Sequence, residues 1–251
     1  MLPESQSPDE EESIAGDGFS PLAFQVEEAR IREAYARRQG GDRYSWFNPG
    51  HLFIVQERER RALALLKRNG YMPLGMKRIA EIGCGTGYWL GEFIKWGARP
   101  ENIVGVDLLP ERVAEARHFC PGAVSIKCGN AAKLEFVDAT FDLVLQSTVL
   151  TSILDTKMRQ EVASEMLRVL KPDGLILWYD YHVQSPRNPD VRAVKRREIY
   201  HLFAGCRIEL ERITLAPPVA RLLAPHSWLA CYLLERIPLM CTHYLGAIRK
   251  R

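Results

Sequence analysis

Residues 78–90, RIAEIGCGTGYWL, constrain this chain more than any other stretch. Gly83, Gly85 and Gly87 alternate with other residues directly after a short apolar run, and a helix-forming segment follows. In an open parallel sheet, ligands bind outside the carboxyl ends of strands, where a strand turns into its helix. Glycines at such a turn let a ligand lie directly on the backbone, and the helix start presents free N–H groups to an anion. The spacing is G-x-G-x-G, not the G-x-G-x-x-G of dinucleotide sites, and Glu81 precedes it. A carboxylate there is a poor neighbour for a pyrophosphate and a good one for an ammonium group. Asp107 closes the next apolar run, 20 residues after Gly87, where a carboxylate can accept both hydroxyls of a ribose. Leu108 beside it offers an apolar surface to a purine. Together these residues describe a ligand with an amino-acid end, a ribose and a base.

The surrounding pattern alternates short apolar runs with helical stretches. RIAEIG, NIVGVD, AVSIKCG, FDLVLQS and LILWYD read as five strands, the last entered through a KPDG turn. GYWLGEFIKWGA, PERVAEARHFC and the amphipathic DTKMRQEVASEMLRVL read as the helices between them. Two further strands, in CRIELERITLAP and HYLGAIRK, flank a Pro-rich helical stretch and suggest an antiparallel edge. The fold class is therefore α/β: a doubly wound, Rossmann-like, seven-stranded, mostly parallel sheet with an antiparallel edge strand. Ahead of it, residues 21–70 read as two helices. The first places Leu22, Val26, Ala29 and Ile31 along one face. The second starts at Pro49 behind an Asn48 cap and stops at Gly70.

Five segments in this order, EIGCGTG, GVDLLPERV, CGNAAKLEF, FDLVLQSTV and LRVLKPDGLILWYD, resemble the motifs of class I S-adenosylmethionine-dependent methyltransferases of the small-molecule group. The resemblance covers roughly residues 45–182 and, more weakly, the last strand. It implies that Glu81, Gly83, Gly85 and Gly87 hold the methionine end of S-adenosylmethionine, that Asp107 binds its ribose and that Leu108 packs on its adenine. Asn130 and Ala131 take the position that contacts the adenine amino group, where Asp is commoner than Asn. Gln146 falls near the reacting end of the pocket. In similar enzymes the segment before the first strand folds over the cofactor, which makes residues 21–70 a helical lid and Tyr44, in RYSWFN, a cofactor contact. Packing is the alternative for Tyr44, Trp46 and Phe47. Residues 71–251 then form the methyltransferase domain, with 184–241 as a substrate-facing cap.

Composition narrows the partners. Residues 1–20 hold six acids and no Lys or Arg, which reads as a disordered acidic tail and leaves 34 basic against 25 acidic residues elsewhere. The six cysteines show no C-x-x-C and no signal peptide precedes them, so reduced thiols in a cytoplasmic protein are expected. His118, Cys120 and Cys128 fit no zinc spacing, and no metal is expected. No run of 18 apolar residues appears. The stretch 214–241 is apolar but interrupted, and suits core packing or peripheral contact with a lipid-linked acceptor or membrane surface. No basic domain with interleaved aromatics points to nucleic acid.

The acceptor is less constrained. QSTVLTSI, after the fourth strand, lacks the [DNS]-P-P-[YF] signature of amide- and exocyclic-nitrogen methylation. What remains is a small or medium molecule: a sugar or glycan, a lipid-linked compound or a specialised metabolite, most simply methylated on a hydroxyl. N- or C-methylation, and cofactor binding without turnover, are the alternatives. His182 follows Asp180 at the end of the fifth strand and is the candidate general base, a hydrogen-bonded rim histidine being the other reading. Asp180 either orients it or accepts backbone N–H bonds. His51 and His226 are weaker candidates, and His201 reads as a helix-surface residue. Arg192, Lys195, Arg196 and Arg197 could meet an anionic group or line a solvated helix face.

Overall fold

A computed structural model describes residues 21–37, 41–185 and 188–251; the acidic tail of residues 1–20 lies outside them. The predicted strands form one seven-stranded sheet because each apolar run is too short for a helix and is β-branched or aromatic enough to pair. The strands are β1 (Ile79–Ile82), β2 (Ile103–Asp107), β3 (Ser125–Cys128), β4 (Phe141–Ser147), β5 (Leu170–Tyr181), β6 (Arg207–Leu215) and β7 (Cys241–Arg249), in the order β3-β2-β1-β4-β5-β7-β6. The first five pair in parallel, with Glu81 beside Gly105 and Leu145. β7 runs antiparallel to both β5 and β6. The order reverses between β2 and β4, on either side of β1, and that switch point is where a ligand crevice belongs.

Helices cover both faces. α3 (Tyr88–Lys95), α4 (Pro110–Phe119), α5 (Thr156–Val169) and α6 (Arg196–Leu202) link the strands, while α7 (Pro217–Leu223) and α8 (Trp228–Leu234) fill the β6–β7 connection. α1 (Pro21–Ala36) and α2 (Pro49–Arg68) precede the sheet. The core splits accordingly. Ala80, Ile82, Val144, Ile176 and Trp178 face one layer with Phe24 and Ile31 of α1, whereas Ile79, Leu143, Leu145, Leu177 and Tyr179 face the other with Leu65 and Leu66 of α2. Each fully buried side chain of this kind contributes about 1.5–3 kcal/mol.

Several local expectations hold for their stated reasons. The Asn48 side chain accepts from the Gly50 and His51 N–H groups at the start of α2, and Gly70 ends it at φ 75°. Two differ. Among the described side chains of α1 the buried ones are Phe24, Glu27, Ile31 and Ala34, and Val26 is 64% exposed; Ala29 is exposed too, and the Leu22 side chain lies outside the described ones. The helix is turned because Glu27 is buried with partners: it accepts from Arg30 and from the Leu154 N–H (2.5 Å). Nor does KPDG break the chain: β5 runs through it from Leu170, which pairs with Phe141 across a register shift. Sheet pairing there overrides turn propensity.

Candidate functional site

The crevice opens at the carboxyl ends of β1, β2 and β4. Gly83, Gly85 and Gly87 all take positive φ (69°, 53° and 89°) as β1 turns into α3. At Gly83 a side chain is excluded twice, since a Cβ would come 2.4 Å from the Val149 methyl in addition to the strained backbone. The Gly83 and Cys84 N–H groups donate to the Val106 carbonyl (2.7 and 3.0 Å), which pins the turn to the end of β2.

Asp107 faces that turn with its carboxylate already oriented. The Gly85 N–H donates to Oδ2 (2.8 Å) and the Leu109 N–H to Oδ1 (3.0 Å). Asn130 is fixed as firmly: its Oδ1 accepts from the Ala132 N–H (2.7 Å) and its Nδ2 donates to Glu28 on α1 (2.6 Å). Gly83, Asp107, Leu108, Asn130 and Ala131 line a single cavity, as the spacing of the motifs requires. Glu81 lies beneath the turn, 2% exposed, with Oε2 lacking a hydrogen-bond partner. Burial, and then the Asp107 charge, push its carboxyl well above the usual range, against the opposing influence of Arg58 and the Leu90 N–H.

The rest of the wall was not legible in the motifs. Ile31 and Tyr35 of α1 close one side, Arg112 of α4 another, and Ser147–Val149 with Ile153 and Met158 the floor towards β4. The Tyr35 hydroxyl bonds the Ser152 hydroxyl (3.2 Å), and the Arg112 guanidinium stands 4.5 Å over the Tyr35 ring. Arg30 of α1 donates to the Ser152 carbonyl (2.6 Å). Thr148 holds φ 58°, a conformation costly for a branched side chain, and its N–H donates to the Tyr179 carbonyl (2.8 Å). The i, i+4 pair of Ile31 and Tyr35 is the sequence signal for this face of α1.

Other predicted residues land elsewhere. Tyr44 is 68% exposed in the short turn before α2, edge-on to His51 at 5.9 Å, and lies outside the cavity lining. Gln146 is fully buried; it accepts from the Val149 N–H (3.2 Å) and donates to the Tyr179 carbonyl (3.4 Å), bracing the turn after β4 without lining the cavity. Asp180 accepts from the Thr151 and Tyr181 N–H groups, so it anchors backbone and does not orient His182. Burial pushes its carboxyl up to about 7. His182 sits just past β5 with its ring 4.4 Å from that of Tyr244 and its Nε2 buried and unpartnered, outside the cavity lining. Burial, then Arg212, lowers its proton affinity. His201 and His226 are exposed. Arg192 is tied to Glu198 (2.9 Å), while Lys195, Arg196 and Arg197 are exposed.

A second cluster adjoins the crevice on the α2 side. Arg58 stands 4.9, 4.8 and 5.4 Å from the rings of Tyr88, Trp89 and Tyr179. Tyr179 stacks on His243 at 4.7 Å, and His243 lies 3.8 Å from Tyr181. Burial, then Arg58, holds His243 neutral well below the usual histidine range.

The cavity thus sits at the carboxyl ends of the strands with the Asp107 carboxylate in its wall. Residues 79–174 match the family model described as a methyltransferase domain. A probable S-adenosylmethionine-dependent methyltransferase of Mycolicibacterium smegmatis is 35% identical over 53% of this chain and 52% of its own. Phthiotriol/phenolphthiotriol dimycocerosates methyltransferase 1 of Mycobacterium ulcerans is 31% identical over 44% of this chain and 40% of its own. The chain thus spans about half or less of the length of these curated relatives. Among solved structures, the 1,6-didemethyltoxoflavin-N1-methyltransferase of Burkholderia thailandensis superposes with a TM-score of 0.60, covering 95% of this chain and 94% of its own at 16% identity, a likeness of fold. Residues 79–174 thus form a methyltransferase domain similar to those of S-adenosylmethionine-dependent methyltransferases.

The residues present fit that cofactor: Glu81 offers a buried carboxyl oxygen without a partner beside the turn, and Gly83, Asp107 and Leu108 line one cavity.

Proposed function

We propose that the chain transfers a methyl group from S-adenosylmethionine to a hydroxyl of a small acceptor, a sugar or glycan or a specialised metabolite, and releases S-adenosylhomocysteine. The observation that carries the reading is the convergence of Gly83 from the glycine turn, the doubly anchored Asp107 carboxylate and Leu108 and Ala131 on one cavity, with Gly85 and Gly87 outside its lining. In this reading Asp107 receives the ribose hydroxyls, Leu108 packs on the adenine, Asn130 and Ala131 face its edge, and Glu81 with the three glycines holds the methionine end. The cofactor supplies an already activated methyl, so the protein's part is to orient the acceptor, exclude water and take a proton.

α1 acts as the lid. Its Ile31 and Tyr35 wall the cavity, and its Glu28 bond to Asn130 fastens it to the adenine edge. His182 is assigned the proton-accepting role because it is held neutral and keeps an unsatisfied nitrogen at the end of β5. Tyr44, edge-on to His51, and Gln146, which braces the turn after β4, stand outside the cavity lining and in this reading support the segments around it. The apolar wall favours an acceptor with an apolar portion.

The test is calorimetric titration with S-adenosylmethionine and S-adenosylhomocysteine, followed by an acceptor screen. Micromolar binding that Asp107→Ala removes is the expected result. Failure of both ligands to bind the intact chain sinks the assignment.

A further inference from the structure

The β6–β7 connection leaves the sheet at the crevice end. Because β7 is antiparallel to both neighbours, β6 ends at Leu215 on the side where β4 and β5 end, and residues 216–240 occupy that rim. Part of their apolar surface packs inward, Ala220, Ala224 and Cys231 against Phe53 and Leu215, and part points outward. On α8, Trp228, Leu229, Tyr232 and Leu233 are exposed, the two leucines by more than half, while Cys231 between them is fully buried. Positions 228/232 and 229/233 are i, i+4 pairs, so the four form one stripe. Leu222 of α7, Ile237 and Leu239 are exposed beside it, Leu239 by 86%. The α2 side joins the same rim. Phe53 of α2 packs edge-on to Trp228 at 5.6 Å, and Gly50 lies so near α7 that a Cβ would come 2.5 Å from Arg221 Cα. Phe47, 96% exposed, and Trp46 stand just before that turn.

The exposed charge of residues 216–240 has one sign. Between residues 216 and 240 the only acid is Glu235, whose side chain is turned inward towards Arg60 (3.7 Å). Arg236, exposed, donates to the Tyr232 hydroxyl (2.5 Å), and Arg221 and His226 complete the border. Leucine and isoleucine at the centre, Trp and Tyr beside them and arginines around them match the cross-section of a lipid interface. Within residues 216–240 no acid is exposed, which suits an anionic sheet, and the turn that carries Trp46 and Phe47 adds one exposed acid, Asp42, and one exposed base, Arg43. Apolar surface of this extent is unusual on a protein that meets only water.

We infer that residues 216–240, with Trp46 and Phe47, form a docking surface for an anionic lipid bilayer. The leucines and Ile237 enter the acyl boundary, Trp228 and Tyr232 lie at headgroup level, and Arg221 and Arg236 meet lipid phosphates. On the methyl-transfer reading above, an acceptor carrying a lipid anchor would then reach the crevice rim without leaving the membrane.

The experiment is co-sedimentation of the intact chain with vesicles of phosphatidylcholine alone and with about a third phosphatidylglycerol. Pelleting with the anionic vesicles, weakened by salt, is expected. Leu229→Glu/Leu233→Glu should reduce it about tenfold while melting temperature and cofactor calorimetry stay unchanged, and Arg236→Glu should reduce it less. Absence of pelleting with anionic vesicles overturns the inference, as does pelleting that the double variant leaves intact. A dimer in light scattering that the double variant dissociates also overturns it, because the face then belongs to a second copy. In each of those cases calorimetry still reports separately on the cofactor site.

Discussion

The two ends of the crevice rim are finished to different degrees. At the β1–β3 end, Asp107 and Asn130 have their side-chain polar atoms bonded, largely to nearby backbone, before any ligand arrives. At the β5–β7 end, Glu57 Oε2 and His182 Nε2 are buried without partners, and His243 is held neutral between two tyrosines. Glu81 is the exception on the first side. Unsatisfied buried groups cost stability and persist where something else needs them. The first end has its polar side chains fixed in advance; the second leaves buried polar atoms unpaired.

That contrast can be broken or sharpened in a graded way. Arg159 is fully buried in the wall between the two ends, donating to the Ile153 and Arg192 carbonyls (2.6 and 2.8 Å) and to Glu198 (2.7 Å). Arg159→Met should lower unfolding free energy by about 3–5 kcal/mol in urea titration, since it strands those acceptors. Asp107→Ala should cost about 3 kcal/mol of cofactor affinity, roughly a hundredfold by calorimetry, through lost ribose contacts and a loosened Gly85 turn. An unchanged dissociation constant would show that the ribose does not sit at Asp107.

Glu57 tests the unfinished end. Its Oε1 accepts from the Thr214 N–H, yet burial pushes its carboxyl up to about 7. A raised carboxyl pKa favours the folded state while protonated. Its contribution is therefore full below about 4.5 and is lost as pH rises through about 7. Stability should fall across that window, and Glu57→Gln should flatten the slope and add about 2 kcal/mol at pH 8. A slope that survives the substitution assigns the effect to Asp180, which burial also raises to about 7. His182→Ala should slow turnover about tenfold, with cofactor affinity unchanged; equal loss in both would mark it as structural. Smallest, Asn130→Asp sets a second carboxylate against Glu28 and should weaken cofactor binding two- to threefold, about 0.5 kcal/mol, with Glu28→Gln restoring it.

What could be read from sequence followed the range of the forces involved. Gly83, Asp107, Leu108, Asn130 and Ala131 are each fixed by a strand end and its own turn, so local spacing located them on one cavity. Tyr35, Arg112 and Thr148 line the same cavity, but their positions depend on how α1 docks and how β4 turns, interactions between residues far apart in the chain. The phase of α1 was misjudged for a related reason: Glu27 is buried by bonds to Arg30 and to the Leu154 backbone, which no apolar periodicity reveals. KPDG looked like a stop because turn propensity is local, whereas the pairing of Leu170 with Phe141 is not. The docking face on α8 was half legible. Its apolarity was plain, and only the position of Cys231 beneath the stripe shows which side is outward.

Arg58 ties the two ends together. Its charge opposes protonation of Glu81 under the glycine turn and, at the other end, lowers the proton affinity of His51 and His243. A fixed cation within reach of both ends biases each towards its unprotonated form, so Arg58→Met should let Glu81 and His243 keep their protons to higher pH.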